Sequence, residues 1–496
     1  MRGFLVSSTV TACAAALTLP FLATSYGAAP SPSPGVRGSK GHAPAAPRAV
    51  PGSTQSLPLI PLAAGGRARA FGGGPAPEQG LLEREVKPFS LVGIVWDDAS
   101  AELRGLAQVR TRAVANGDWS KWQDVQTHDD DRPDLDSAEG RGGRLRGSTA
   151  PLWVGASDAI QVRVRPEAVA DRTPEGRALP AGMRLELVDP GEDPVRTRAV
   201  APPDTEEEIA TSAANAPLVP LGATEIPAAG KATSVADIAA TGTGRGTGHR
   251  ADDPEFPMDP DDASVPRVSE YGDPVDATYP GDLDDVDQSM ADTGRYVGPR
   301  PRLVTRAGWG ADESLREKGF AYTNTVRAAF VHHSASGNRY TCAQSASVIR
   351  SIYRYHVVSS GWRDLGYNFL IDKCGKIYEG RAGGVARAVM GAHTLGFNSN
   401  SMGIAVLGTF DKSSPPTAAV SAVGALTAWK LGLFGANPRG TTTLVSGGGN
   451  LFKKGTSVKL KVISGHRDGY ATECPGDRLY SRLGTARSTA ARLQGR

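Results

Sequence analysis

The stretch Ile463-Ser-Gly-His-Arg-Asp468, followed by Cys474-Pro475, decides how the rest of this sequence is interpreted. It supplies a histidine and a cysteine eight positions apart, on a glycine-containing loop after a short apolar run that predicts a strand. Imidazole nitrogen and thiolate sulfur are ligands that zinc prefers, and a catalytic zinc has three protein ligands and an open position for water. The stretch therefore predicts two ligands of such a site, His466 and Cys474.

The third ligand is expected upstream, in Ala329-Phe-Val-His-His-Ser334. An apolar run that predicts a buried strand ends there in a pair of histidines. A strand end that delivers one histidine and a distant loop that delivers a histidine and a cysteine can together form a His-His-Cys site.

The length of 496 residues exceeds that of an ordinary single domain and predicts two domains with linkers. The formal net charge of +3 is small, so composition gives no case for a nucleic-acid partner. The basic start and the apolar run through Ala23 predict a signal peptide over residues 1–29 and hence a secreted protein, extracellular or in the cell wall. The sequence has no second long apolar run, so we expect no membrane-spanning helix. The alternative to a cleaved signal peptide is a lipid anchor at Cys13.

Export also bears on the cysteines, because disulfides persist in oxidising compartments. Cys13 is expected to leave with the signal peptide, which makes Cys342 and Cys374 a candidate disulfide. Cys474 is then the odd thiol, and a bond to zinc explains why it stays unpaired. The alternative is a different pairing among the three that leaves one buried thiol.

The region before residue 300 divides into three parts. Residues 30–80, rich in Pro, Ala, Gly and Ser, predict a disordered spacer, and residues 196–299, acidic in their second half, predict another. Between them, residues 81–195 contain alternating runs such as Ile160–Arg165, which predict a β-sandwich-like accessory domain. We therefore expect the region after residue 300 to be mechanically independent and a fragment from Pro301 to fold alone.

Four tryptophans fall within the predicted β domain, and two interpretations of them stay open. An exposed set is typical of a carbohydrate-binding platform, whereas a buried set belongs to the core of a small sandwich. The residues are Trp96, Trp119, Trp122 and Trp153.

Residues 300–496 predict an α/β domain with a central mixed sheet and covering helices. The apolar runs Val326–His332 and Met402–Phe410 are expected to be buried strands. Helices are expected over Thr417–Leu433 and Asp477–Leu493, and the stretch from Phe434 to Val462 is expected to be an insertion.

Six groups of short motifs follow one another in this region. They are Arg306-Ala-Gly-Trp-Gly-Ala311, Val331-His-His-Ser334, Asp364-Leu-Gly-Tyr-Asn-Phe369, Ile377-Tyr-Glu-Gly-Arg381, Gly391-Ala-His393 with Asn400-Ser-Met-Gly-Ile404, and Gly465-His-Arg-Asp468 with Cys474-Pro-Gly476. In this order they resemble the peptidoglycan recognition proteins and their amidase relatives, including the phage T7-type lysozyme. The resemblance does not extend to the sequence before residue 300.

The resemblance implies a zinc amidase that cleaves the bond between N-acetylmuramic acid and L-alanine in peptidoglycan. It places the Zn²⁺ ligands at His332, His466 and Cys474, so that the first histidine of the pair binds the metal. Tyr367 falls on the tyrosine that the family needs for catalysis, where its hydroxyl is expected to donate to the oxyanion of the tetrahedral intermediate.

Three further residues are candidates for contact with the muropeptide: His393, Thr472 and His333. A structural role stays open for His333, beside the ligand, and for His393. Thr472 stands where the phage enzyme has a lysine and many recognition proteins have a threonine, so no basic group acts at this position.

A rival function from another class is a binding module without activity. Several members of the family bind peptidoglycan but have lost the metal-binding cysteine. This sequence keeps Cys474, Tyr367 and both histidines of the pair, which favours the enzyme. We expect a monomer whose partner is peptidoglycan muropeptide, with no nucleic acid and no membrane span.

Overall fold

The computed structural model describes residues 52–62, 78–127, 131–167, 179–193, 203–242 and 294–496. The predicted signal peptide 1–29, with Cys13, lies outside these residues, as does most of the acidic half of the second predicted spacer. Within the described ranges, no helix is long and apolar enough to cross a membrane.

The first part of the chain folds into the expected all-β domain, an antiparallel sheet with the order β1-β8-β3-β7-β4-β5 and with β2 and β6 paired to β3. Period-2 alternation forms it: in β4, Ala107 and Val109 are buried while Gln108 and Arg110 are half-buried. The strands are β1 (Ser53–Pro58), β2 (Ile60–Pro61), β3 (Gln79–Trp96), β4 (Gly105–Ala113), β5 (Gln123–Val125), β6 (Gly147–Ser148), β7 (Leu152–Pro166) and β8 (Arg184–Asp189). Residues 52–62 belong to this sheet, so their assignment to the first spacer is wrong.

The four tryptophans of this domain do not form one group. Trp96 and Trp153 are buried, the first within the β-domain core and the second where that domain meets the rest of the chain. Trp119 and Trp122 are half-buried and pack against the guanidinium of Arg110, at 5.0 and 5.5 Å from the ring centroids. The core interpretation therefore holds for two of the four.

The C-terminal domain is built on a mixed seven-stranded sheet with the order β17-β11-β14-β12-β13-β10-β9. Its central pairs are parallel, and β12 pairs antiparallel with β13. The strands of this part of the chain are β9 (Glu225–Ile226), β10 (Leu303–Val304), β11 (Ala328–His333), β12 (Phe369–Ile371), β13 (Ile377–Glu379), β14 (Ser401–Val406), β15 (Thr441–Val445), β16 (Ser457–Lys461) and β17 (Ile463–Gly465). The predicted strand over Met402–Phe410 ends early, since Gly408 adopts a φ of 129°.

The helices of the described chain are α1 (Glu206–Ala213), α2 (Lys231–Val235), α3 (Arg306–Trp309), α4 (Ser345–Arg354), α5 (Thr417–Leu433), α6 (Asp477–Tyr480) and α7 (Leu483–Gln494). The helix predicted over Asp477–Leu493 is therefore two helices, α6 and α7. A disulfide joins Cys342, just before α4, to Cys374 in the turn between β12 and β13, as the sequence interpretation expected.

Alternation along the central strands assigns their side chains to two layers. In β12, Phe369 and Ile371 face the core under α5 and α7, whereas Leu370 faces the core under α4. In β14, Ile404 and Ala405 divide in the same way. Both faces of the sheet are covered, which explains why its strands are apolar without interruption.

Residues 203–242 are not the structureless spacer that was predicted. β9 pairs antiparallel with β10 and so forms an edge of the C-terminal sheet. Asn215 Nδ2 donates to Glu379 Oε1 at 2.8 Å. Helix α1 begins with a capping box between Thr205 and Glu208, a signal that was present in the sequence but was hidden within an acidic, proline-containing region.

The expected mechanical independence of the two domains is also wrong. Leu91 and Trp153 of the β domain share one core with Ile352 of α4. The Tyr355 hydroxyl is 3.0 Å from the carbonyl of Thr149, and burial raises the pKa of this tyrosine above its ordinary range. A fragment from Pro301 would expose this shared core and lose the β9 edge.

The predicted insertion between Phe434 and Val462 forms an antiparallel hairpin, β15 and β16. Leu444, Val458 and Leu460 of the hairpin pack with Phe330 of β11 in a small separate core. The insertion therefore adds a wall beside the strand that carries the histidine pair.

Candidate metal centre

The two candidate histidine ligands lie at one edge of the C-terminal sheet, where β11 and β17 end. These strands are parallel, with Val331 beside Gly465, so the next residues, His332 and His466, are neighbours. Their ring centroids are 4.5 Å apart, and both side chains are fully buried. Parallel pairing thus brings together two histidines that are far apart in the chain.

Cys474 reaches the same place through a short loop after His466. The Arg467 amide donates to the carbonyl of Cys474 at 3.1 Å, and the Cys474 amide donates to Thr472 Oγ1 at 3.2 Å. These bonds leave Cys474 Sγ fully buried at 3.8 Å from His332 Nδ1.

The donor atoms of His332, His466 and Cys474 all lie within 4.8 Å of one another. Zinc bonds of about 2.0–2.1 Å to nitrogen and about 2.3 Å to sulfur place neighbouring donors of a tetrahedral site roughly 3.4–3.6 Å apart. The cysteine–histidine separation of 3.8 Å is close to this value. The donor set, its burial and its spacing therefore fit a zinc ion.

A fourth side chain enters this pocket from the β domain. Asp131 Oδ1 lies 2.8 Å from His332 Nδ1 and 3.2 Å from His466 Nδ1. The carboxylate is nearly buried, with 9% of its side chain exposed. The sequence interpretation missed Asp131, because nothing local in an acidic run shows that it reaches a pocket more than 200 residues further along the chain.

Tyr367 stands just before β12 and faces the same pocket. Its ring centroid is 5.5 Å from that of His332, and its hydroxyl donates to Asp131 Oδ2 at 2.5 Å. One carboxylate therefore contacts both histidines and the candidate catalytic tyrosine.

The other predicted site residues take different positions. His393 is fully buried at 5.3 Å from the His332 ring, and burial, followed by the neighbouring histidines, holds the pKa of His393 well below its ordinary value. His333 points to the opposite side of β11, where its Nδ1 accepts from the Phe410 amide at 3.3 Å. The Thr472 hydroxyl orients the backbone of Cys474.

His356, which the sequence interpretation missed, lies next to Tyr367, with 5.7 Å between the ring centroids. Its ring stacks on Trp362 at 4.1 Å between centroids, and its Nδ1 accepts from the Gly366 amide at 3.2 Å. Burial, assisted by the positive charge of Arg381, lowers the pKa of His356 to about 3. The imidazole is therefore neutral in the folded protein at neutral pH.

This arrangement predicts a loss of stability in acid. The unfolded chain protonates His356 near its ordinary pKa of 6.5 and the folded chain only near 3, so protons favour unfolding between these values. From pH 6.5 downwards, His356 is expected to lower the free energy of unfolding by about 1.4 kcal/mol per pH unit. Urea unfolding of wild type and His356→Asn at several pH values measures how the difference in free energy of unfolding between the two proteins changes with pH. Asn is chosen because its side-chain oxygen can accept the hydrogen bond from the Gly366 amide but does not titrate. Parallel curves for the two proteins would contradict the prediction.

Two family models match this chain. Residues 322–477 match N-acetylmuramoyl-L-alanine amidase, and residues 44–183 match the family described as Rv3811 N-terminal galactose-binding domain-like. The first match spans both candidate histidine ligands, Tyr367 and Cys474. The second spans β1 to β7 of the β domain and includes Asp131, but ends before β8.

Among individual proteins, peptidoglycan-recognition protein SC2 of Drosophila melanogaster is 32% identical over 183 residues, which are 37% of this chain and 85% of that protein. The human N-acetylmuramoyl-L-alanine amidase is 30% identical over 187 residues, 37% of this chain and 28% of that protein. Among solved structures, wild-type Drosophila PGRP-LB matches at 26% identity with a TM-score of 0.30, covering 37% of this chain and 92% of that one.

Proposed function

The chain belongs to the family of peptidoglycan-recognition proteins and N-acetylmuramoyl-L-alanine amidases, and on this premise we propose that it is a secreted zinc amidase of peptidoglycan. Its substrate is the amide bond between N-acetylmuramic acid and L-alanine. The observation that carries the proposal is the convergence of His332, His466 and Cys474, fully buried and with donor atoms within 4.8 Å of one another.

Zinc held by these three residues would polarise the amide carbonyl and lower the pKa of a bound water to about 7. The remaining chemistry belongs to the chain. The Tyr367 hydroxyl, beside His332, is the donor for the oxyanion that forms when the amide is attacked. His393 stays neutral next to the ligands and can accept or donate one hydrogen bond without adding charge.

The hydroxyl of Thr472 acts on the metal site through the backbone, since it fixes the loop that presents Cys474. His333 contacts Phe410 and lies 3.9 Å from Asp411 Oδ1, on the far side of its strand. We therefore assign Thr472 to positioning of Cys474 and His333 to packing on the far side of β11, and neither of them to contact with the muropeptide.

The alternative is a recognition module that binds peptidoglycan without cleaving it. Digestion of purified peptidoglycan by the full chain, analysed by mass spectrometry with and without a chelator, separates the two functions. An amidase releases stem peptides with a free L-alanine amine, and the chelator stops the release. Binding to peptidoglycan with no such product would leave the recognition module as the function.

A further inference from the structure

The segment 131–146 of the β domain, between β5 and β6, lies across the candidate metal centre and along the C-terminal domain. We call this segment the arm. Its first residue, Asp131, contacts His332, His466 and Tyr367, as described above. The family resemblance does not extend to the sequence before residue 300, so it assigns no function to this contact.

The next part of the arm is bound to the loop that follows His393. Asn398 Nδ2 donates to the carbonyl of Arg132 at 3.1 Å and to Asp134 Oδ1 at 3.0 Å. The Gly396 amide also donates to Asp134 Oδ1. The arm therefore fills the space directly beside the pocket, over a loop of the catalytic domain.

A buried ion pair anchors the middle of the arm. Arg381 donates through both terminal nitrogens to the Glu139 carboxylate, at 2.9 and 3.0 Å, and the two side chains are 5% and 2% exposed. The Arg363 amide donates to the same carboxylate at 2.9 Å. A bidentate, buried pair of this kind fixes geometry as well as adding attraction.

The far end of the arm is tied to the C-terminal domain at two places, Ser360 after α4 and Glu317 between α3 and α4. The Arg146 amide donates to the carbonyl of Ser360 at 3.1 Å, and the Arg144 guanidinium pairs with Glu317 at 2.8 Å. The arm is therefore held at its start, middle and end by the domain that it crosses.

We propose that Asp131 is a further residue of this metal site, supplied by the other domain, and that the arm keeps the site closed to muropeptide until it withdraws. The proposal rests on the zinc amidase assigned above. The Asp131 carboxylate lies within contact distance of two of the three candidate ligands. A catalytic zinc site leaves one position open, and a carboxylate oxygen this close to the donors can fill it. The same carboxylate engages the Tyr367 hydroxyl, so the donor for the oxyanion is occupied as well.

The site is closed because a zinc ion with four protein ligands has no position left for water or substrate. A carboxylate oxygen is an acceptable zinc ligand, and a site with four protein ligands resembles structural zinc sites, which do not turn over. A substrate carbonyl would have to displace Asp131 and the arm contacts beside it. The apparent affinity for muropeptide is then reduced by the fraction of molecules that are open.

The first test is metal binding by the full chain, which is independent of activity. Asp131→Asn keeps the shape of the side chain but removes its charge and is expected to lower the affinity for zinc by about 10–100-fold in competition with a chelator. The cobalt-substituted protein is expected to change its visible absorption in the same variant, because an oxygen ligand is lost. Asp136→Asn is the control, since Asp136 is on the arm but pairs with Lys454 with both side chains more than half exposed.

The second test is the initial rate on soluble muropeptide. Asp131→Asn and Asp131→Ala are expected to be faster than wild type, by about tenfold if the open form is about a tenth of the molecules. Glu139→Gln weakens the anchor at a distance from the pocket. It is expected to raise the rate and to shift the cobalt spectrum towards that of Asp131→Asn, because Asp131 leaves the metal in a larger fraction of the molecules. A lower rate in the Asp131 variants, with the Asp136 control unchanged, would overturn the proposal and make Asp131 a catalytic residue.

Failure of the amidase assignment is distinguishable from failure of this proposal. If no variant cleaves muropeptide, the assigned reaction fails, and the zinc and cobalt measurements still decide whether Asp131 reaches the metal. Unchanged zinc affinity and an unchanged cobalt spectrum in both Asp131 variants would overturn the proposal whatever the rates are.

Discussion

Replacement of Cys474 with alanine is expected to remove stoichiometric zinc and to lower amidase activity by about a thousandfold or more, since a metal that polarises the carbonyl supplies several kcal/mol of transition-state stabilisation. Cys474 is the single thiolate of the donor set, and its Sγ lies within 3.8 Å of His332 Nδ1. Metal content by mass spectrometry and release of L-alanine-terminated peptides are the two measurements.

The matched control for this variant is Ser481→Ala, seven residues further on. Ser481 is exposed, and its hydroxyl donates to a local backbone carbonyl at 3.0 Å. We expect its zinc content and activity to equal those of wild type. A Cys474→Ala protein that is folded and retains one zinc per chain would exclude Cys474 as a ligand.

The second large effect concerns Arg306, which begins α3 and is fully buried. Its guanidinium donates to Glu313 at 2.7 Å, to Asp364 at 3.1 Å and to the carbonyl of Gly380 at 2.6 Å. Arg306→Met leaves two buried carboxylates without this cation, and removal of one partner from such a cluster costs about 3–5 kcal/mol of folding free energy. Equilibrium unfolding in urea measures the loss.

Arg302→Met makes the same change at a surface pair four residues earlier. Arg302 donates to Glu225 at 2.8 Å, but the two side chains are 63% and 42% exposed. Exposed pairs contribute roughly 0–1 kcal/mol, so this control should unfold close to wild type. Equal losses in the two variants would show that burial of the Arg306 cluster is not what stabilises this region.

The course of the chain through the C-terminal domain could be predicted because its signals are local or short-range. The apolar run Val326–His332 indicated a buried strand, which is β11, and the helix expected over Thr417–Leu433 is α5. Prediction was less successful where tertiary contacts override composition. Residues 203–242 are rich in Ala and Thr and contain several prolines, a composition that predicted a spacer. β9 is nevertheless held by its pairing with Leu303 and Val304, which no local pattern encodes.

The sequence predicted which three side chains cluster as candidate ligands, but it did not predict what surrounds them. Imidazole and thiolate are ligands that zinc prefers. This chemistry and the family resemblance were together sufficient to select His332, His466 and Cys474 as candidates. Thr472 could not be placed from the sequence, because the direction of a turn depends on packing. His333 follows His332 in β11, so strand alternation puts it on the opposite face. His333 faces Phe410, away from its neighbour in the sequence.

Residue types and short-range order were enough to predict the candidate donor set, the α/β architecture of the C-terminal domain and the cysteine pair that forms the disulfide. The contact between the β domain and the candidate site became visible only in the folded chain. Asp131 reaches His332 because the two domains share a core around Leu91 and Ile352 and because Glu139 is paired with Arg381. Such contacts depend on how the surfaces of two domains pack against each other. Local sequence patterns predict the elements of each domain but not this packing.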